Sequence, residues 1–290
     1  MSVRSIAAAA AVLFGSLTLL GCGITQRATF TRTVTISKTH VEAAPIRAQV
    51  SNGSIEVKVG NTDEVQITAK IKALTQDRLD RTMLIVTRTG DQTLDISVQW
   101  PDGKRKGNEG CSLTITLPDA GVIALKTSNG RLTVTGVGTD LDLQTSNGRI
   151  VASDIPGNIY GRTSNGRVTL TNIGGEIDVD TSNGKLIFTN VTGPIKADTS
   201  NGSVQIRLTE AATGPIDIST SNGSATIAVG SRFQGKLQLS TSNGRIKVDE
   251  HTNAKSMTIN KSSASINFGG NGSSRVRTSN GSITVTSLEK

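Results

Sequence analysis

The chain has 290 residues, a formal charge of +8 and only 2% aromatic residues. Two cysteines and two histidines argue against a zinc site or a disulfide-stapled scaffold. So few aromatics leave little on which to stack bases, which sets nucleic acid aside as a partner despite the basic charge.

The chain opens with a positive residue, Arg4, then an apolar run, Ile6–Leu20, too short for a comfortable membrane span. Small residues precede Cys22, and Leu19-Leu20-Gly21-Cys22 resembles the lipobox of bacterial lipoproteins. That resemblance implies a signal peptide over residues 1–21, cleavage before Cys22 and lipidation of its sulfur. Gly23 rather than Asp at the next position implies the outer membrane if the cell is diderm. With Cys22 lipidated, Cys111 stands alone and reads as a small half-buried core residue beside Leu113.

Residues 22–39 read as the lipidated cysteine and a Thr-rich tether, and residues 40–118 as an elaborated β-rich N-terminal cap, which a repeat array needs for solubility. Within the cap, Val50–Val57 already carries the turn and the two core positions of the later repeat. Ala73–Met83 has helical spacing, with Thr75 as its cap and Leu79 and Met83 on one face. Strands are expected at Met83–Thr87 and Leu94–Val98. Trp100–Asn108 reads as a loop holding the only Trp and the densest basic run.

Over residues 119–290 the sequence Thr-Ser-Asn-Gly returns, at Thr127, Thr145, Thr163, Thr181 and Thr199, then at Thr220, Thr241 and Thr278. The period is 18 residues up to Thr199 and 21 to Thr220 and Thr241, after which one degenerate turn is skipped before Thr278. A short fixed period repeated this often marks a solenoid. Leu132 and Val134, Ile150 and Ala152, Val168 and Leu170, and Leu186 and Phe188 are two apart, so each pair shares one face of a strand. A second strand carries Leu141/Leu143, Ile159, Ile177/Val179 and Ile195/Ala197, and a further apolar column, Val137, Ile155, Ile173 and Val191, falls between the strands. The whole reads as an all-β β-solenoid of stacked two-strand coils, about eight or nine in number. Asn-Gly is also the strongest hairpin signal. An antiparallel meander, however, needs more strands than one open sheet usually holds, and it leaves the Val137 column without a place.

The turn residues Asn129, Gly130, Asn147, Gly148, Asn165, Gly166, Asn183, Gly184, Asn201, Gly202, Asn222, Gly223, Asn243, Gly244, Asn280 and Gly281 are expected to be structural. The glycines would supply φ > 0, and the asparagines an amide ladder at the stacking distance of about 4.8 Å. The extra residues at Leu208–Thr213 and Val229–Gln234 are expected to bulge outward. At Lys261–Ala264 the motif has decayed; a coil with a different turn is expected there, with Ile266 and Phe268 in the core columns. Ile283–Thr286 is expected to leave an open sheet edge that invites self-association.

Leu117-Pro118-Asp119-Ala120-Gly121, running into Thr-Ser-Asn-Gly, then a basic residue or Ser, then an apolar one, resembles the bacterial putative-adhesin family of β-strand-repeat envelope proteins, formerly of unknown function. The resemblance spans Val41 to the end. It implies a β-solenoid at the cell envelope and carries over no catalytic residues. The residue after the Gly is often acidic in that family. Here it is Arg131, Arg149, Arg167, Lys185 and Arg245, which departs from the pattern, and the first four make a basic column.

That basic column is the candidate face for an anionic ligand. Like charges stacked at strand spacing repel, so solvent, acidic neighbours such as Asp142, Asp178 and Asp180, or an anionic envelope polymer must offset them. Asp178, Asp180 and Asp198, with Arg162 near, are the candidate set for the alternative, an enzyme acting on an envelope polysaccharide, because glycoside hydrolysis uses two carboxylates. The scarcity of aromatics favours the non-catalytic reading. The calcium-binding repeat Gly-Gly-x-Gly-x-Asp is absent, and no motif calls for a metal or cofactor. The sequence therefore points to a non-catalytic lipoprotein of the cell envelope, a structural or adhesin-like binding module. Its candidate partners are the membrane through the lipid anchor, an anionic envelope polymer or another envelope protein, and a second copy through the C-terminal coil.

Overall fold

The computed structural model describes residues 29–249 and 252–288. The lipobox with Cys22, and His251, lie outside them.

Alternating apolar residues produce two long sheets, A with 12 strands and B with 13, whose inward rows form one core. In the middle of the molecule, sheet B stacks Ile123–Thr127, Asp140–Thr145, Asn158–Thr163, Ile177–Thr181 and Ile195–Thr199 in parallel. Each is followed in the chain by a strand of sheet A: Leu132–Thr135, Ile150–Ile155, Val168–Ile173, Leu186–Val191 and Val204–Leu208. Equivalent residues pair, so Leu132, Ile150, Val168 and Leu186 form one buried row and Val134, Ala152, Leu170 and Phe188 the next. Val137, Ile155, Ile173 and Val191 close the core at the corner between the sheets. This is the expected β-solenoid, and its parallel pairing excludes the meander.

Chain order and stack order part at both ends. The coil of Ile46–Gln49 and Ile55–Val59 lies between the coil of Leu94–Gln99 and Gly110–Leu117 and that of Ile123–Thr127 and Leu132–Thr135. At the far end, Ser273–Thr278 lies between Ile216–Thr220 and Lys236–Thr241, and Ile283–Ser287 between Ala225–Val229 and Ile246–Val248. The expected open edge at Ile283–Thr286 is therefore corrected: this strand is paired on both sides. The edge of sheet A is instead the three-residue strand Ile246–Val248.

Antiparallel strands finish each end. Phe30–Thr39 pairs with Glu64–Ala73, which pairs with Gly110–Leu117, so the segment read as a tether is a strand from Phe30 onward. The helix spans only Gln76–Arg81. Thr75 caps it, its side chain accepting from the Arg78 N–H at 3.2 Å, and Leu79 is buried. Met83 does not share that face; it opens the next strand and is 50% exposed. The helix is pinned by a buried pair, in which Arg78 donates to both carboxylate oxygens of Glu109 at 2.6 and 2.8 Å. Hydrogen bonding from Arg78 holds the Glu109 carboxyl down at about 2, and the same pairing raises Arg78.

The decayed motif is not a coil. Ser256–Ile259 and Ser263–Asn267 form an antiparallel hairpin at the edge of sheet B. Ile266 is buried opposite Leu237, in sheet B rather than in the sheet A column, and Phe268 packs edge-on against Phe233 with ring centroids 5.1 Å apart. The insertions do not simply bulge outward either, because they turn Ala212 and Phe233 into the core.

Candidate functional site

Each Thr-Ser-Asn-Gly carries the chain from sheet B to sheet A, so the copies, with Ser51-Asn52-Gly53, build one continuous corner. The Thr side chains point inward and are buried. Each hydroxyl donates to a Gly carbonyl of the neighbouring coil, Thr145 to Gly130 at 3.2 Å, Thr163 to Gly148 at 3.1 Å and Thr199 to Gly184 at 3.2 Å. The Asn side chains point outward. Asn147 donates through Nδ2 to Oδ1 of Asn129, Asn165 to Asn147, Asn183 to Asn165 and Asn201 to Asn183, each at 2.8 Å. The ladder starts at Asn52, and beyond Asn201 it passes through Asn222, Asn280 and then Asn243, following the stack rather than the chain. The expected amide ladder is present.

The glycines have a different role from the one expected. Gly130, Gly148, Gly166, Gly184, Gly202, Gly223, Gly244 and Gly281 do not adopt the left-handed conformation. They are required by close approach: a Cβ on Gly148 would sit 1.7 Å from the Gly130 carbonyl oxygen. Coils that share carbonyl–hydroxyl and amide–amide bonds leave no room for a methyl group between them.

The basic column stands immediately beside this ladder. The amides of Leu132, Ile150 and Val168 donate to the carbonyls of Arg149, Arg167 and Lys185, and that of Ile55 to Arg131, which puts the four residues on four successive coils. Arg131, Arg149 and Arg167 are exposed and Lys185 half-buried. Among the described residues none of the four forms an ion pair. The acidic neighbours proposed to offset them lie elsewhere, on the outer face of sheet B. There a shallow groove of about 270 Å³ follows the other flank of the ladder, lined by Lys126, Gln144, Arg162 and Asp180 and by Ser146, Ser164 and Ser182. Cations thus flank the Asn ridge on both sides.

The aspartates are only partly brought together. Asp178 pairs with Lys196 at 3.4 Å, and Asp142 accepts from Gln144 at 3.0 Å. Asp180 lies beside Arg162 on one side and Asp198 on the other, but forms no ion pair with Arg162. Burial pushes the Asp198 carboxyl up; Lys196 on its own strand pulls it back down, and Asp180, Asp217 and Asp178 push it further up.

Cys111 and His40 are both tied into the fold. Burial pushes the Cys111 thiol up to about 12, and the side chain is a full core residue rather than a half-buried one. His40 lies 3.0 Å from Asp119, whose other oxygen accepts from the Ala43 N–H. Among the described residues no three His, Cys, Asp or Glu side chains are placed to hold a metal.

A second ladder escaped the reading of the sequence. At the opposite corner Asn172 donates to Asp154 at 2.6 Å and Asn190 to Asn172 at 2.7 Å. All three have positive φ, as does Gly136 at the same place in the preceding coil. The signal was there: nine residues after each Thr stand Gly136, Asp154, Asn172 and Asn190, the residue types that tolerate the left-handed region.

A family profile described as "Domain of unknown function (DUF7330)" matches residues 140–287. The chain belongs to the DUF7330 family. The DUF7330 segment begins at the coil of Asp140–Thr145 and includes the interleaved C-terminal coil, so it takes in the Asn ladder from Asn147 onward and the Arg149–Lys185 part of the basic column. Solved structures similar to the chain include a putative lipid binding protein from Parabacteroides distasonis, 16% identical with a TM-score of 0.38, covering 91% of this chain and 98% of that one. A putative adhesin from Bacteroides fragilis is 14% identical with a TM-score of 0.34, over 89% of this chain and 97% of that one. A putative cell adhesion protein from Clostridium sporogenes is 9% identical with a TM-score of 0.27, over 90% and 100%. No curated protein matches the chain.

Proposed function

We propose that the protein is a non-catalytic, lipid-anchored component of the cell envelope that binds an anionic envelope polymer along its Asn-ladder corner. One observation carries the reading: Arg131, Arg149, Arg167 and Lys185 stand on successive coils without a counter-ion among the described residues. Cations held at a repeat of about 4.8 Å form a linear field that suits an extended polyanion better than a compact one. The ridge is also rigid, so little ordering entropy opposes binding. Anchoring through Cys22 rests on the lipobox, with the outer membrane as the address in a diderm cell.

The full chain should sediment with purified envelope fractions at low salt and be released at moderate salt. Changing Arg131, Arg149, Arg167 and Lys185 to Ser should weaken binding by at least about tenfold with an unchanged melting curve. Equal binding by both proteins would return the column to a solvated edge. Anchoring is tested separately: Cys22→Ser should move the chain from the membrane to the soluble fraction.

A second reading, hydrolysis of an envelope polysaccharide, is favoured by one observation, the raised Asp198 carboxyl beside Asp180. Turnover of an envelope glycan that disappears in the Asp180→Asn/Asp198→Asn variant would support it over binding alone.

A further inference from the structure

The outer face of sheet B changes character along the stack. From Asp95 to Asp217 its cations have acids on the next strand: Arg47 pairs with Asp95 at 3.1 Å and Lys196 with Asp178 at 3.4 Å. Past Asp217 the outward rows of the four strands Ser273–Thr278, Lys236–Thr241, Ser263–Asn267 and Ser256–Ile259 carry no acid, only cations, hydroxyls and amides. Three cations gather here, Lys236, Arg275 and Arg277. Arg275 reaches Asp217 only at 3.9 Å, and the other two have no ion pair among the described residues. A cleft of about 320 Å³ lies over these side chains.

The register arranges the donors in rows. Arg277, Ser240 and Ser263 are neighbours across three strands, and Arg275 stands two residues from Arg277 on the same face. Two guanidinium forks about 7 Å apart suit the oxygens of a tetrahedral anion, and the adjacent hydroxyls suit a polar carrier. No aromatic side chain lines the cleft, so a neutral sugar has no ring to stack on. The site exists because of the interleaved topology: the inserted strand Ser273–Thr278 supplies both arginines, the strand beside it supplies Lys236 and Ser240, and the hairpin supplies Ser263.

We propose that this cleft binds a phosphate ester on a hydroxyl-bearing carrier, with Arg275 and Arg277 on the phosphate and Ser240 and Ser263 on the carrier. It is separate from the basic column and does not depend on that column binding anything. The chemistry is shared by glycerol-phosphate lipid headgroups and by phosphorylated glycans or polymers.

Calorimetric titration of the full chain with glycerol 1-phosphate, and flotation with phosphatidylglycerol vesicles against phosphatidylcholine vesicles, test it together. Binding of the soluble ester alone assigns the cleft to a polymer or sugar phosphate. Added flotation with phosphatidylglycerol, lost in the same variant, assigns it to a lipid headgroup. In either case Arg275→Ser/Arg277→Ser should raise the Kd at least about tenfold with an unchanged circular dichroism spectrum, while the four-residue column variant keeps wild-type affinity. No saturable binding of either probe, or equal binding by the arginine variant, overturns the proposal.

Discussion

The middle coils and the two ends of the stack are built from the same unit but follow different rules. Between Thr127 and Thr199 each coil lies on its predecessor in the chain, and every bond of the corner, Thr to Gly carbonyl and Asn to Asn, joins residues 15 or 18 apart. At the ends a coil is threaded between two others, and the same bonds span 37, 40, 55, 58, 74 or 77 residues. The local pattern therefore decides what a coil is, while it is silent on which coil lies next to it. Any Thr-Ser-Asn-Gly coil offers the same donors and acceptors to any other. The choice at the ends falls to non-repeating contacts: the helix and its buried ion pair on one side, the Phe233–Phe268 contact and the hairpin on the other.

The contrast can be broken most sharply at its regular part. Gly148→Ala puts a methyl group into the backbone of the neighbouring coil, and neither side is a flexible side chain that can yield. It should cost about 4 kcal/mol or more, seen as a large fall in the thermal midpoint, whereas Gly90→Ala, with open space around it, should leave the midpoint nearly unchanged. Equal midpoints for the two variants would mean that the coils are not in close contact.

The N-terminal end is probed by Glu109→Gln, which leaves the buried Arg78 without its carboxylate. A loss of roughly 2–3 kcal/mol is expected, confined to the cap because repeat arrays unfold in sections. Its pH dependence follows from the depressed carboxyl. The group sits at about 2 in the fold, against about 4.3 in an unfolded chain. Its contribution is thus complete above about pH 5 and drains away as pH falls toward 2. Urea midpoints followed from pH 6 to pH 2.5 should fall more steeply for the wild type than for the variant, which has no such carboxyl to protonate.

The smallest effect distinguishes interior from terminal rungs of the ladder. Asn165→Ala removes two amide bonds and should cost about 1 kcal/mol, while Asn243→Ala, at the last rung, removes one and should cost about half as much. If Asn280→Ala behaved like the terminal rung instead of an interior one, the interleaved order of the C-terminal coil would be wrong.

These comparisons also mark what a sequence of this kind discloses. The core rows, the Asn ladder and the Thr75 cap are local in sequence or repeat at a fixed step, so residue spacing reveals them. The glycine role was misjudged because an Asn-Gly turn is the same text whether Gly serves a left-handed φ or a close approach. The order of coils, the hairpin at Ser256–Asn267 and the Arg78–Glu109 pair depend on partners far along the chain, for which a repeat offers many equivalent choices. At the candidate site the basic column was legible as a column. The lack of counter-ions was not, because the carboxylates of the same coils alternate onto the outer face of sheet B, away from the corner. The second cleft was hidden altogether, since its arginines and its serines become neighbours only through the inserted strand.

The coil of residues 273–287, held on both flanks, decides how this end of the stack can come apart. The outermost elements of a fold are ordinarily the first to open locally. Here residues 273–287 are clamped in both sheets, with Thr278 bonded to Gly223 on one side and Asn243 bonded to Asn280 on the other. A segment sealed along both edges comes free only when two coils separate at once, so local opening at this end of the stack has to begin in Ile246–Val248 and the hairpin.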